Sequence, residues 1–203
     1  IGQIEIPNTI VVIQAGAFYE CNGLWGSLTF PSSLRYIEDN AFFECQRLNF
    51  VLNDGLISID IGAFYNCYFF SGVLHMPNTI NNIGDGSFSG CHEITSLILS
   101  DRITCIPSSA FSSCDKLKNV TFGKNILLIE DFAFEGCRTL KRIEIPNRVK
   151  NIGSMSFLDC YALMSVVIGD SVKKIGSMAF AHCYGLKRIV IGKSVELIGI
   201  DAF

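Results

Sequence analysis

The chain of 203 residues lacks several features that would place it in a familiar functional class. No apolar run approaches the ~18 residues that a membrane-spanning helix requires, although 49% of the residues are hydrophobic. Only 17% of the residues are charged, and three are histidines. There is no G-x-S-x-G, P-loop or H-E-x-x-H motif. We therefore expect no membrane span, no catalytic residue, no cofactor and no metal site in this segment.

What the sequence contains is a Phe-x-x-Cys motif that returns every 22 to 24 residues. Its eight copies are Phe18/Cys21, Phe42/Cys45, Phe64/Cys67, Phe88/Cys91, Phe111/Cys114, Phe134/Cys137, Phe157/Cys160 and Phe180/Cys183. A fixed period in this range indicates one supersecondary unit stacked on copies of itself. Each unit contacts mainly its neighbours, so we interpret residues 1–203 as a single solenoid of about eight full repeats plus a partial one.

The repeat at residues 140–160 shows the unit most clearly. Leu140, Ile143 and Ile145 have the alternation of a short strand that sends every second side chain into the core. A proline ends this strand, and a second β-branched pair predicts another extended segment on the opposite wall. Gly153 then permits a sharp bend with positive φ. The Phe-x-x-Cys spacing predicts a single helical or 3-10 turn with both side chains on one face.

The pattern L-x-x-I-x-I-P-x-x-V-x-x-I-G-x-x-A-F-x-x-C resembles the BspA-like leucine-rich repeat family, over essentially the whole chain. The resemblance implies a β-rich solenoid, a leucine-rich-repeat-like right-handed superhelix of ~23-residue repeats. It also implies adhesion or protein recognition, at the cell surface or in the extracellular space. Because the chain begins and ends inside repeats, we expect it to be a piece of a longer array.

Eight of the nine cysteines are in register, and Cys105 alone is not. Zinc requires four converging ligands, whereas each repeat supplies one cysteine. A disulfide ladder is an open alternative, although parallel side chains on stacked strands hold Cβ atoms farther apart than a disulfide prefers. The pattern favours thiols that act as small buried hydrophobic groups beside the phenylalanines. Cys105 should face outward and be the cysteine that reacts with solvent reagents.

The residue between the two inward positions of each first strand must face solvent. These residues form an outward column of Glu5, Thr29, Leu52, His75, Ile98, Thr121, Glu144, Val167 and Val190. Four aliphatic side chains in one exposed column favour an interaction surface, and β-propensity is the alternative explanation. A basic group at the strand entrances adds Lys118, Lys141, Arg142, Lys187 and Arg188.

Charge is distributed unevenly along the chain. Residues 1–102 carry 3 Lys/Arg against 10 Asp/Glu, and residues 103–203 carry 13 against 9. We expect a protein partner, with an acidic or glycan-bearing surface as one form of it. We expect no nucleic acid, because the aromatic residues fall mainly on core positions. Two functions follow: a protein-recognition or adhesion module, and an intracellular, cytoplasmic scaffold or assembly component, which many reduced cysteines favour.

Overall fold

The computed structural model describes residues 3–203, and within them it contains seventeen short strands and no helix. The strands are β1 (Val12–Ile13), β2 (Gly26–Thr29), β3 (Tyr36–Ile37), β4 (Leu48–Val51), β5 (Ser58–Ile59), β6 (Gly72–His75), β7 (Asn82–Ile83), β8 (Ile94–Ile98), β9 (Cys105–Ile106), β10 (Asn119–Thr121), β11 (Leu128–Ile129), β12 (Arg142–Ile145), β13 (Asn151–Ile152), β14 (Ser165–Ile168), β15 (Lys174–Ile175), β16 (Arg188–Val190) and β17 (Leu197–Ile198). The even-numbered strands are the longer ones, and each alternates with a two-residue strand.

The two kinds of strand form two separate walls. The even-numbered strands, here the first wall, pair as β2–β4, β6–β8–β10 and β12–β14–β16. The odd-numbered strands, the second wall, pair as β1–β3–β5–β7 and β9–β11–β13–β15–β17. All the pairs are parallel and join equivalent residues of consecutive repeats, such as Ile152 with Ile175. The chain is therefore a parallel β-solenoid of about eight turns, which confirms the fold expected from the repeats.

The core contains one continuous stack of phenylalanine rings. Rings of consecutive repeats lie 5.0 to 5.6 Å apart between centroids and within 17° of parallel, from Phe18 to Phe203. Seven of these side chains, from Phe42 to Phe180, are fully buried. Offset stacking at this distance is favourable beyond the area that the rings bury. The predicted inward orientation of the phenylalanines is confirmed.

The Phe-x-x-Cys segment is not the helical or 3-10 turn that its spacing predicts. It is a run of consecutive turns in which every second amide bonds within the segment and the others bond the next repeat. The amide of Tyr19, for example, donates to Gly16 at 3.0 Å, whereas the amide of Phe18 donates to Ala41 at 2.8 Å. Glu20, just before Cys21, has a φ of 52°. A left-handed residue in each copy breaks the helical series of φ angles.

The glycine after the second wall has a different role from the predicted one. Gly153 and its equivalent Gly84 are not among the residues with positive φ in the described part of the chain. A Cβ on Gly153 would lie 2.4 Å from the carbonyl carbon of Glu130, and one on Gly84 would lie 2.3 Å from the amide nitrogen of Ile61. These glycines allow the backbones of neighbouring repeats to approach each other closely.

Candidate binding surface

The outward column exists on the first wall and follows the strand register. His75 pairs with Ile98, and Ile98 pairs with Thr121. In the next group of strands Glu144, Val167 and Val190 are in register. Their side chains are exposed, apart from Val167, which is half-buried. Alternation along the strand places these side chains opposite the buried Leu97 and Ile143.

The predicted column includes Leu52, but the strand register gives that position to Val51. Thr29 pairs with Val51, whose side chain is 45% exposed, whereas Leu52 is half-buried and packs against the core. Phe50, the inward residue, follows Cys45 by five positions, one fewer than in the regular repeats. The shorter entrance moves every following side chain to the opposite face, because the alternation along a strand has a period of two.

The next repeat compensates with an extra residue at its strand entrance. The pairing of β6 with β8 is irregular at this place: Gly72 pairs with Ile94 and Val73 with Ser96, and Gly72 has a φ of 84°. Val73, a residue that the predicted column omits, points outward with 59% of its surface exposed.

The basic group lies at the predicted strand entrances, with all five side chains exposed: Lys118, Lys141, Arg142, Lys187 and Arg188. Arg142, Ser165 and Arg188 are in register across three strands. The Met164 amide donates to the Lys141 carbonyl at 2.8 Å, so Met164 separates the cations of the two flanking repeats. Arg142 also forms an ion pair with Glu144 of its own strand.

The first wall is interrupted between β10 and β12. The two strands belong to different groups of paired strands, and the depression between them has a volume of about 800 Å³. Lys118, Lys141, Arg142 and Glu144 are among the residues that line it. The sequence gives no signal of this interruption, because the two repeats have the same length and the same pattern of core residues.

The in-register cysteines form a ladder of thiol hydrogen bonds. Seven of them donate to the carbonyl of the phenylalanine one repeat earlier, at 3.0 to 3.4 Å: Cys45, Cys67, Cys91, Cys114, Cys137, Cys160 and Cys183. These seven are buried, and burial raises the pKa of the Cys114 thiol to about 12. The nine cysteines are free thiols in the described residues. The interpretation as small buried groups is confirmed for these seven, with a backbone hydrogen bond in addition.

Cys105 lies on the second wall and points away from the core, as predicted, but it is half-buried. Burial, together with the nearby carboxylates of Glu130 and Asp85, raises its pKa to about 12. Because the thiolate is the reactive form, these surroundings disfavour the predicted reactivity towards solvent reagents.

In residues 3–203, no three His, Cys, Asp or Glu side chains converge in a way that could bind a metal ion. Nor does that part contain a helix with the length and hydrophobicity that a bilayer crossing requires. The exposed first wall, with its apolar column and basic group, is the candidate site.

Comparison with known proteins places this geometry in a family. The model of the BspA type leucine rich repeat region (6 copies) matches residues 1–105 and 81–203. No curated protein sequence matches the chain.

Several solved structures are similar. The pneumococcal vaccine antigen PcpA has 20% identity and a TM-score of 0.60, over 100% of this chain and 60% of PcpA. A leucine-rich repeat protein from Bacteroides ovatus has 21% identity and a TM-score of 0.54, over 99% and 72% of the two chains. A leucine rich cell surface protein from Faecalibacterium prausnitzii has 19% identity and a TM-score of 0.43, over 94% and 79%. At these identities the first two likenesses show the fold alone. Because the family match extends from residue 1 to residue 203, the chain belongs to the BspA-type leucine-rich repeat family.

Proposed function

We propose that the chain is a non-catalytic protein-recognition or adhesion module at the cell surface, which binds a partner along the first wall. The repeat family supports a protein-interaction role in general. The observation that carries the proposal is the outward column of the first wall, where Ile98 and Val190 lie exposed beside a basic group. Exposed apolar side chains with a charged rim are typical of protein interfaces. We further propose that residues 1–203 act as one solenoid.

The partner surface that suits this wall is a protein with an acidic or glycan-bearing region. Lys118, Lys141 and Lys187 form no ion pair among the described residues, so they are available to a partner. Exposed cations of this kind increase association rates and favour partners of opposite charge.

The test is cross-linking on intact cells with the soluble array and two charge-reversed versions of it. The first version carries Lys141→Glu, Arg142→Glu and Lys187→Glu on the first wall. The second carries Lys150→Glu, Lys173→Glu and Lys174→Glu, the same change of charge on the other wall. We expect the first version to recover about tenfold less partner, while the second stays close to the parent. Equal recovery by both versions would remove the basic group from the interface.

A second candidate function is an intracellular scaffold or assembly component, and the ladder of free thiols favours it. Cytosolic proteins keep cysteines reduced, whereas secreted proteins tend to form disulfides. Surface biotinylation and protease shaving of intact cells separate the two functions. Adhesion predicts that the chain is labelled and cleaved, and an intracellular scaffold predicts protection from both reagents.

A further inference from the structure

The interruption between β10 and β12, here the seam, is an opening of the backbone ladder as well as a depression. At two levels where the first wall is paired, the residue after the strand donates its amide to the next repeat: Phe30 to Val51 and Leu99 to Thr121, each at 3.0 Å. In the described chain the equivalent Phe122 amide makes no backbone hydrogen bond to Glu144. The core side chains Val120 and Phe122 are only partly buried there, whereas Leu97 and Ile145 of neighbouring repeats are buried.

The opening is confined to one wall of the solenoid. On the second wall at the same level, the Lys150 amide donates to the Leu127 carbonyl at 2.7 Å. The Phe-x-x-Cys segments of consecutive repeats also stack on each other, here called the turn ladder. In the turn ladder at this level, the Phe111 amide donates to the Ala133 carbonyl at 2.9 Å. No change of repeat length explains the seam, since Val120 follows Cys114 by six positions and Ile143 follows Cys137 by the same number. Two backbone edges therefore face each other with donors and acceptors directed into the depression.

The side chains around the seam carry a net positive charge. Lys118 and Lys141 occupy the same position in consecutive repeats, and Arg142 follows directly. Glu144 is the one carboxylate among the lining residues, and it forms an ion pair with Arg142. Three cations against one carboxylate favour an anionic occupant that competes with Glu144 for Arg142.

We propose that the seam binds an extended acidic segment of a protein partner. Its carboxylates would pair with Lys118, Lys141 and Arg142, and its backbone would lie along the mouth of the depression and bond unpaired backbone groups there, such as the Phe122 amide. A peptide backbone carries donors and acceptors in alternation, which is what strand edges recognise in β-strand addition. The inference rests on the proposed function, that the first wall binds a protein, and it specifies the place and the chemistry.

The binding test uses a labelled peptide that alternates glutamate with threonine, a matched peptide with glutamine in place of glutamate, and a sulfated oligosaccharide. We expect the glutamate peptide to bind best. Lys118→Glu/Lys141→Glu should weaken its binding about tenfold. Lys187→Glu/Arg188→Glu, the same change on the same wall but outside the seam, should weaken it less than about threefold, because physiological salt screens distant charges. Glu144→Gln should strengthen it, because Arg142 loses its internal partner.

Three results would overturn the inference: equal binding of the glutamate and glutamine peptides, equal loss in the two charge-reversed variants, or tighter binding of the oligosaccharide. Each variant is first compared with the parent by thermal melting, which confirms that all are folded. Failure of the proposed function is a separate result, since the array would then recover no partner on intact cells even if the peptide binds. Recovery of partners without peptide binding would reject the seam alone.

Amide hydrogen exchange gives a second test, because it reports the hydrogen bonding of individual backbone amides and does not depend on the affinity for the peptide. The amides of Phe122, Arg142 and Glu144 should exchange at least about tenfold faster than those of Leu99, Ser165 and Val167, their equivalents in paired strands. The glutamate peptide should slow the seam amides and leave the others unchanged. Protection that is already equal without peptide would show that the ladder is closed in solution and would overturn the inference.

Discussion

The turn ladder and the first wall pass through the same repeats, but only the ladder is continuous. The phenylalanine stack is unbroken from Phe18 to Phe203, and thiol hydrogen bonds join its successive levels. The first wall is interrupted at β4/β6 and at β10/β12, and the second wall at β7/β9. Each interruption lies at a level where the other wall is paired. The difference indicates that the ladder maintains the stack, while the walls tolerate local opening.

Removal of one ring from the ladder should have the largest effect. Phe134→Ala should lower the free energy of unfolding by about 3–5 kcal/mol, because it leaves a cavity between two stacked rings. In a linear array the loss should also weaken the neighbouring repeats. Val120→Ala, at the half-buried edge of the seam, should cost about 1 kcal/mol. Urea unfolding measures the loss of free energy in both variants. Equal losses would contradict the inference that the turn ladder maintains the stack while the first wall tolerates opening.

Thiol substitutions test whether the ladder depends on hydrogen bonds as well as on packing. Cys137→Ala should cost roughly 1–2 kcal/mol, because it removes the sulfur and the bond to the Phe111 carbonyl. Cys137→Ser keeps a donor at that place and should cost less. If serine proves the more destabilising of the two, the sulfur acts through its apolar volume, and the thiol bond contributes little. Unfolding of both variants at one pH gives the order directly.

The ladder should also make the fold sensitive to alkali. Burial raises the pKa of the Cys114 thiol from its usual 9.0 to about 12, so the folded chain keeps the proton after the unfolded chain has lost it. The contribution of this thiol to the free energy of unfolding is therefore fully present below pH 9 and is lost as the pH rises towards 12. Each such thiol contributes a loss of at most about 1.4 kcal/mol per pH unit. Cys114→Ala should reduce the slope of unfolding free energy against pH between 9 and 11, and an unchanged slope would refute this origin.

The sequence predicts what depends on period and alternation. The spacing of Phe134 and Phe157 predicts the stack, and the pattern around Ile143 predicts which side chains face outward. The prediction for Leu52 is wrong because the effect of the short strand entrance on the alternation is visible only when the register to Thr29 is known. The bond from Cys137 to Phe111 depends on the pitch between repeats, which a single repeat does not encode.

The seam could not be predicted for a related reason. The repeats on either side of it have ordinary lengths and ordinary core residues, so nothing in either one marks the opening. Whether Phe122 bonds to Glu144 depends on how the two repeats fit against each other, and on the cations that surround them. Such a feature belongs to a pair of repeats, whereas the sequence motif describes one.

The smallest effect on stability should come from the first wall itself. Lys187→Glu/Arg188→Glu changes two exposed cations that form no ion pair among the described residues. The free energy of unfolding should change by less than about 0.5 kcal/mol, as for most surface substitutions. Thermal melting at low and at physiological salt measures the change. A loss above about 1 kcal/mol would mean that the charges of the wall help to maintain the stack, and that binding and stability are not divided between wall and ladder.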